Sequence, residues 1–207
     1  LLHKEGMFIA ALSQLIDEYG WVSMIVAFGS DIFISFNDDG VIKLDKENDY
    51  APVAVCPGVR VFCLHKDSKQ DILWIGTDGR GVQMFCRGQE LFGGITLDNV
   101  TSGTQKPVRA IYTDEEANLW IGTKGDGVIK VRNYENYNHG TISSSKTMNY
   151  TLNDGLSNNN VYCFLRSRYH DILWIGTDGP GFSYFSYKDH TVRSLSGKSG
   201  GLIGKVH

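Results

Sequence analysis

Residues 71–81 read Asp71-Ile-Leu-Trp-Ile-Gly-Thr-Asp-Gly-Arg-Gly81, and the same letters return as Asp171-Ile-Leu-Trp-Ile-Gly-Thr-Asp-Gly-Pro-Gly181. Between them lies Ala117-Asn-Leu-Trp-Ile-Gly-Thr-Lys-Gly-Asp-Gly127. A worn copy, Asp31-Ile-Phe-Ile-Ser-Phe-Asn-Asp-Asp-Gly40, puts Phe33 where the others have tryptophan. The aromatic anchors are therefore Phe33, Trp74, Trp120 and Trp174, at spacings of 41, 46 and 54 residues. An aromatic anchor returning every 40–50 residues or so is the mark of propeller blades.

Each copy has the same internal order. An apolar run comes first (Val61–Leu64, Val108–Tyr112, Val161–Leu165), then a polar turn (Asp67–Gln70, Asp114–Ala117, Ser167–His170). The tryptophan strand follows, then a glycine-rich turn and a third strand (Val82–Phe85, Val128–Val131, Phe182–Phe185). A polar stretch with a weak fourth strand closes the unit. The first run is nearly continuous in apolar residues, as in a strand buried on both faces. The tryptophan strand places a large ring between stacked sheets, where its burial contributes a few kcal/mol. The glycines permit positive φ in the connecting turn.

The reading is all-β: a partial β-propeller of about four to four and a half four-stranded blades, part of a larger one. The divisions are an atypical N-terminal segment at 1–22, a degenerate blade at 23–60, and a blade at 61–106. A blade with a long insertion follows at 107–160, then a blade plus the start of the next at 161–207. In the first segment Ile9, Leu12, Leu15, Ile16 and Tyr19 have helical spacing, yet Met7–Leu12 also reads as a strand. The all-β surroundings lean the expectation toward strand. Gly201-Leu202 leading to Val206 reads as the opening of a further blade.

Composition agrees with this class. The chain has 207 residues, 42% hydrophobic and 21% charged, which is globular and excludes a disordered tail, a collagen or a coiled coil. Twenty-four glycines against four prolines suit many tight turns. A net charge of −3 gives no basic surface for nucleic acid. No apolar run approaches the ~18 residues of a membrane span. The four cysteines, Cys56, Cys63, Cys86 and Cys163, have no metal spacing. Cys63 and Cys163 lie in apolar runs and are expected to be small buried residues. The leading Leu1-Leu2-His3-Lys4 and the mid-pattern end suggest a piece of a longer protein.

The repeated Leu-Trp-Ile-Gly-Thr segments resemble the two-component regulator propeller repeat. That pattern has a Gly-Leu step, a valine-led strand, an acidic turn and then Leu-Trp-Ile-Gly-Thr. Here Asp154-Gly155-Leu156-Ser157-Asn158 leads to Val161, and Leu173-Trp174-Ile175-Gly176-Thr177 follows. The resemblance covers residues 60–207 well and 23–59 weakly. It implies the extracytoplasmic (periplasmic) sensor region of a hybrid two-component histidine kinase of Bacteroides type. It also implies an oligosaccharide ligand, with a kinase and a DNA-binding regulator elsewhere in the parent protein. None of those downstream parts is legible in these residues.

The turns Asp78-Gly-Arg80-Gly, Lys124-Gly-Asp126-Gly and Asp178-Gly-Pro180-Gly carry charge at one end of each blade. On the usual strand order they share a rim with Arg60, Arg109 and Asn160, beside the start of the inner strand. These eight residues, Arg60, Asp78, Arg80, Arg109, Lys124, Asp126, Asn160 and Asp178, are the ligand-binding candidates. Such a rim suits hydroxyl-rich ligands, and arginine can hold a carboxylate with two parallel hydrogen bonds. The plainer reading is that Asp and Gly are what tight turns use.

No catalytic residue, cofactor or metal is assigned. Asp38-Asp39-Gly40 and Asn153-Asp154-Gly155 lack the alternating oxygens and distal Glu of a calcium loop. Gly76-Thr-Asp-Gly-Arg-Gly81 has the wrong spacing for a dinucleotide loop. His65 and His170 stand near Asp67 and Asp171, which reads as turn chemistry rather than a dyad. No Gly-x-Ser-x-Gly elbow is present. The insertion Tyr134-Glu-Asn-Tyr137-Asn-His-Gly140 has the composition of a surface loop that reaches a ligand or a partner. An incomplete ring leaves apolar flanks beyond the ~600 Å² that soluble monomers tolerate, so missing blades or a second copy are expected to cover them. No nucleic acid or direct membrane contact is expected. The rival functions are an interaction or dimerisation platform and, less well supported, a propeller lyase or glycosidase.

Overall fold

The computed structural model of the chain describes residues 2–67, 69–86, 92–95, 106–134 and 147–195. Every copy of the motif forms the second strand of a four-stranded antiparallel sheet, and every sheet runs in sequence order. The first comprises β1 (Val22–Phe28), β2 (Asp31–Phe36), β3 (Gly40–Asp45) and β4 (Ala51–Pro57). The second comprises β5 (Val61–Asp67), β6 (Ile72–Thr77), β7 (Val82–Cys86) and β8 (Phe92–Ile95). The third comprises β9 (Val108–Thr113), β10 (Asn118–Thr123), β11 (Val128–Arg132) and β12 (Thr147–Tyr150). The fourth comprises β13 (Val161–Arg166), β14 (Ile172–Thr177), β15 (Phe182–Ser186) and β16 (Thr191–Leu195). These are four propeller blades. The chain divides into two compact units, Leu1–Thr96 and Leu97–His207, each holding two of them.

The motif has a physical reason at each letter, clearest in the second unit. Trp120 is fully buried between the third and fourth blades. Its ring lies 4.8 Å from that of Phe185 and 6.4 Å from that of Tyr187. Gly122 follows because a Cβ there would sit 2.7 Å from Val161 Cγ1 and 3.2 Å from the Cβ of Ala110. Its missing side chain is the space that lets the next inner strand close on the sheet. The Thr123 hydroxyl donates to the Gly127 carbonyl at 2.9 Å and accepts from the Asp126 amide at 3.0 Å. Thr77 does the same in the second blade, toward Gly81 and Arg80. Gly127 sits at φ +75°, and a Cβ there would fall on the Tyr150 carbonyl. Only glycine serves at that position.

In the first unit Phe33 is fully buried and meets Phe85 of the second blade at 5.1 Å, with Leu64, Leu73 and Ile75 around it. The opposite face of the first blade carries Ile34, Phe36, Ile42 and Leu44. Residues Leu2–Tyr19 cover it as a helix, α1, which corrects the lean toward strand. Phe8, Ala11, Leu12, Leu15 and Tyr19 fall on the side against the sheet, an i, i+3, i+4, i+7 stripe. Ile9 and Ile16 face outward. Tertiary burial of that stripe decides the helix; its propensity alone would be marginal. Helix α1 thus covers this face of the first blade from within the same unit.

The flank of the last blade is open within its unit. Trp174 is only half-buried, packed edge-on against Phe182 and Tyr184. Leu165 is 66% exposed and Cys163 is exposed, against the expectation that β13 is buried on both faces and that Cys163 is a core residue. Burial of an inner strand needs a neighbour on each side. Cys56 and Cys63 are buried, and burial pushes their thiols up to about 11 and about 12. The insertion beyond Tyr134 and the Gly201-Leu202-Val206 segment lie outside the described residues, as do His139 and His207.

Candidate functional site

The glycine-rich turns return to the start of the inner strand in three blades. The Asp78 amide donates to the Arg60 carbonyl at 2.9 Å, Lys124 to Pro107 at 2.9 Å, and Asp178 to Asn160 at 2.9 Å. Turn and inner-strand start therefore share one end of each blade, as the sequence suggests.

In the first unit this end holds Arg60, Asp78 and Arg80. Arg60 is half-exposed and pairs with Asp38 of the neighbouring blade at 3.3 Å. Its guanidinium also lies 5.7 Å from the Phe62 ring centroid. Asp78 and Arg80 are exposed. Asp38 is thus an ion-pair partner.

In the second unit Lys124 bridges to Asn160 across two blades, and the amides of Gly125 and Gly127 both donate to the Asn159 carbonyl. Asp126 has one carboxylate oxygen buried without a hydrogen-bond partner. Asp178 is exposed. Arg109 lies on β9 two residues beyond Pro107. Its guanidinium stands 5.1 Å from the ring centroid of Tyr162, which is 43% exposed. Arg109 and Tyr162 occupy the second position of two adjoining inner strands, the position Phe62 holds in the second blade. The sequence offered Arg109 but not Tyr162. The equivalence of Phe62, Arg109 and Tyr162 was the signal available.

A second polar site was not foreseen. Asp114, the first residue after β9, is buried, and its carboxylate accepts from Trp120 Nε1 at 2.7 Å. It also accepts from Asn118 Nδ2 at 2.8 Å and Tyr187 Oη at 3.1 Å. Burial, then the Asp114 charge, drives the Tyr187 hydroxyl far above its usual range. Lys130 stands opposite Trp120 across β10 and β11 and is itself 4% exposed.

The remaining sequence candidates resolve as structure. Asp154 closes a capping box with Thr151, accepting from its amide and hydroxyl at 2.8 Å each. Asp171 pairs with Arg166 at 2.8 Å, while His170 is exposed and its carbonyl accepts from Arg166 at 2.9 Å. Among the described residues no three His, Cys, Asp or Glu side chains gather as a metal site. Among them, too, no helix is long and apolar enough to cross a membrane.

The fold is shared with solved propellers. The extracellular domain of a one component system from B. thetaiotaomicron matches with a TM-score of 0.65 at 16% identity, over 84% of this chain and 25% of that one. The extracellular domain of a hybrid two component system from the same organism matches with a TM-score of 0.63 at 23% identity, over 84% and 22%. The WD40 repeats of RRP9 match at 0.58 and 16% identity, over 85% and 51%. The chain thus spans about a quarter of the length of the two bacterial structures. No curated protein matches it. Residues 155–179, from the Gly-Leu step through the tryptophan strand of the fourth blade, match the family described as Two component regulator propeller. That stretch identifies a two component regulator propeller repeat in this chain.

Proposed function

We propose that the chain is a non-catalytic, ligand-sensing region of a two-component sensor, working outside the cytoplasm, and that it recognises an oligosaccharide. The family match at residues 155–179 supports the sensor class. The Arg109–Tyr162 pair is the observation that carries the ligand class. A half-exposed aromatic face backed by a guanidinium offers a stacking surface for a sugar ring and donors for its oxygens. Asn160 stands two residues before Tyr162, and Lys124, whose amide donates to the carbonyl of Pro107 two residues before Arg109, is bridged to Asn160; both add further donors. In the longer sensor of this reading, a histidine kinase reports the bound state. The test is the melting temperature of the chain against a panel of oligosaccharides. A saturable rise with one of them, lost in Tyr162→Ala, supports the reading. No rise with any saccharide refutes it.

A second reading has its own observation. The open flank of the fourth blade surrounds a cavity of about 320 Å³ lined by Cys163, Leu165, Trp174 and Phe182. A surface so apolar suits an interaction platform, covered by a following blade or by a second copy of the chain. Light scattering separates this reading from the first. A concentration-dependent dimer, weakened by Leu165→Lys and indifferent to every saccharide, favours the platform.

A further inference from the structure

The residue paired with the anchor tryptophan differs from blade to blade. It is Met84 opposite Trp74, Tyr184 opposite Trp174, and Lys130 opposite Trp120. Methionine and tyrosine suit an inter-blade core; a lysine there carries a desolvation cost unless something offsets it. Lys130 Nζ lies 4.8 Å from the Trp120 ring centroid and 4.6 Å from that of Phe185, so two ring faces offset part of that cost. Among the described residues no carboxylate stands within ion-pair distance of it. Burial holds the ammonium below its ordinary range, while Asp114 and Glu116 pull the other way.

Lys130 lines a cavity of about 440 Å³ with Glu116, Asn118, Arg132, Tyr150 and His190. The groups available to a ligand there follow from the hydrogen bonds already made. Asn118 spends its Nδ2 on Asp114 and, at 3.4 Å, on one carboxylate oxygen of Glu116, leaving its own side-chain carbonyl as an acceptor. Asp114 is saturated by Trp120, Tyr187 and Asn118, so its charge is held behind the cavity. Lys130 and Arg132 remain as the cations, and Glu116 and the Asn118 carbonyl as acceptors. Two cations beside acceptors match one carboxylate and several hydroxyls; a dianion would meet Glu116 and the charge of Asp114. The volume is that of a small-molecule site.

We propose that this cavity binds a small hydroxylated carboxylate, its carboxylate against Lys130 and Arg132 and its hydroxyls toward Asn118, Glu116 and His190. The site is separate from the Arg109–Tyr162 pair and does not depend on the oligosaccharide reading.

Calorimetric titration of the chain with sodium glucuronate tests it, with methyl glucoside and inorganic phosphate as controls. Saturable glucuronate binding is expected, at least tenfold weaker in Lys130→Met and in Arg132→Gln and unchanged in Tyr162→Ala. Lys130→Met places in the third blade the residue the second already uses. Arg132→Gln alters an exposed side chain, so it carries the test if the first variant folds poorly. Absence of saturable glucuronate binding overturns the proposal. So does undiminished binding in Arg132→Gln, or equal binding of methyl glucoside or phosphate. Loss of glucuronate binding in Tyr162→Ala would place the anion at the other site and also overturn it.

Discussion

The indole Nε1 of Trp120 donates a 2.7 Å hydrogen bond to the buried carboxylate of Asp114. The anchor ring of the third blade is therefore held at both ends, by ring packing inside and by a charged acceptor at its polar edge. Removing the acceptor by Asp114→Ala strands three buried donors, on Trp120, Asn118 and Tyr187. The expected loss is about 3 kcal/mol in a urea melt, with Asp114→Asn losing less. An unchanged midpoint would mean the carboxylate contributes nothing net.

Gly122 is a steric test of how the blades close. Its φ is ordinary, so Gly122→Ala costs only the clash with Val161 and Ala110. We expect a loss of about 1–3 kcal/mol. Val161→Ala should relieve part of it, so the double variant is more stable than the sum of the two losses requires. Additive losses would show that the two residues do not meet.

Helix α1 should matter to the first blade. Leu15 is buried against Ile34, Phe36, Ile42 and Leu44. Leu15→Ala should cost about 2–4 kcal/mol. Ile16→Ala, on the outward side, should cost little. Equal effects at the two positions would contradict the docking of that helix.

His65 sits opposite Trp74 in register, and its burial lowers its proton affinity, with Asp67 opposing. The folded chain thus binds a proton there less readily than the unfolded one, whose histidine titrates near about 6.5. The stability from the neutral ring is fully present above that value and is lost as the pH falls through it. Melting temperatures taken from pH 7.5 to 5 should fall, and fall less in His65→Leu, the residue that Leu165 supplies at the same position of the fourth blade. A parallel fall in both proteins would clear His65 of any part.

Much of the architecture was legible because it repeats. Trp74, Trp120 and Trp174 carry near-identical flanks, and each marks a second strand. What occurs once was not legible. Helix α1 has no second copy to calibrate it, and its face is set by a sheet the local pattern does not describe. The exposure of Cys163 and the half-burial of Trp174 depend on what adjoins the fourth blade, which a strand's own letters do not record. At the candidate site, the turns and inner-strand starts were legible from strand order. The stacking of Arg109 on Tyr162 was not, because it joins residues of two blades. Lys130 was visible as the one charged partner of an anchor tryptophan, but only once the register was known.

The most direct test of the sensing account is hydrogen exchange of the chain with and without a saturating oligosaccharide drawn from the melting panel. Slowed exchange is expected to concentrate at residues 107–111, 124–127 and 160–163, around Arg109 and Tyr162. Slowing confined to the Leu165, Trp174 and Phe182 flank, or no slowing with any saccharide, would contradict it.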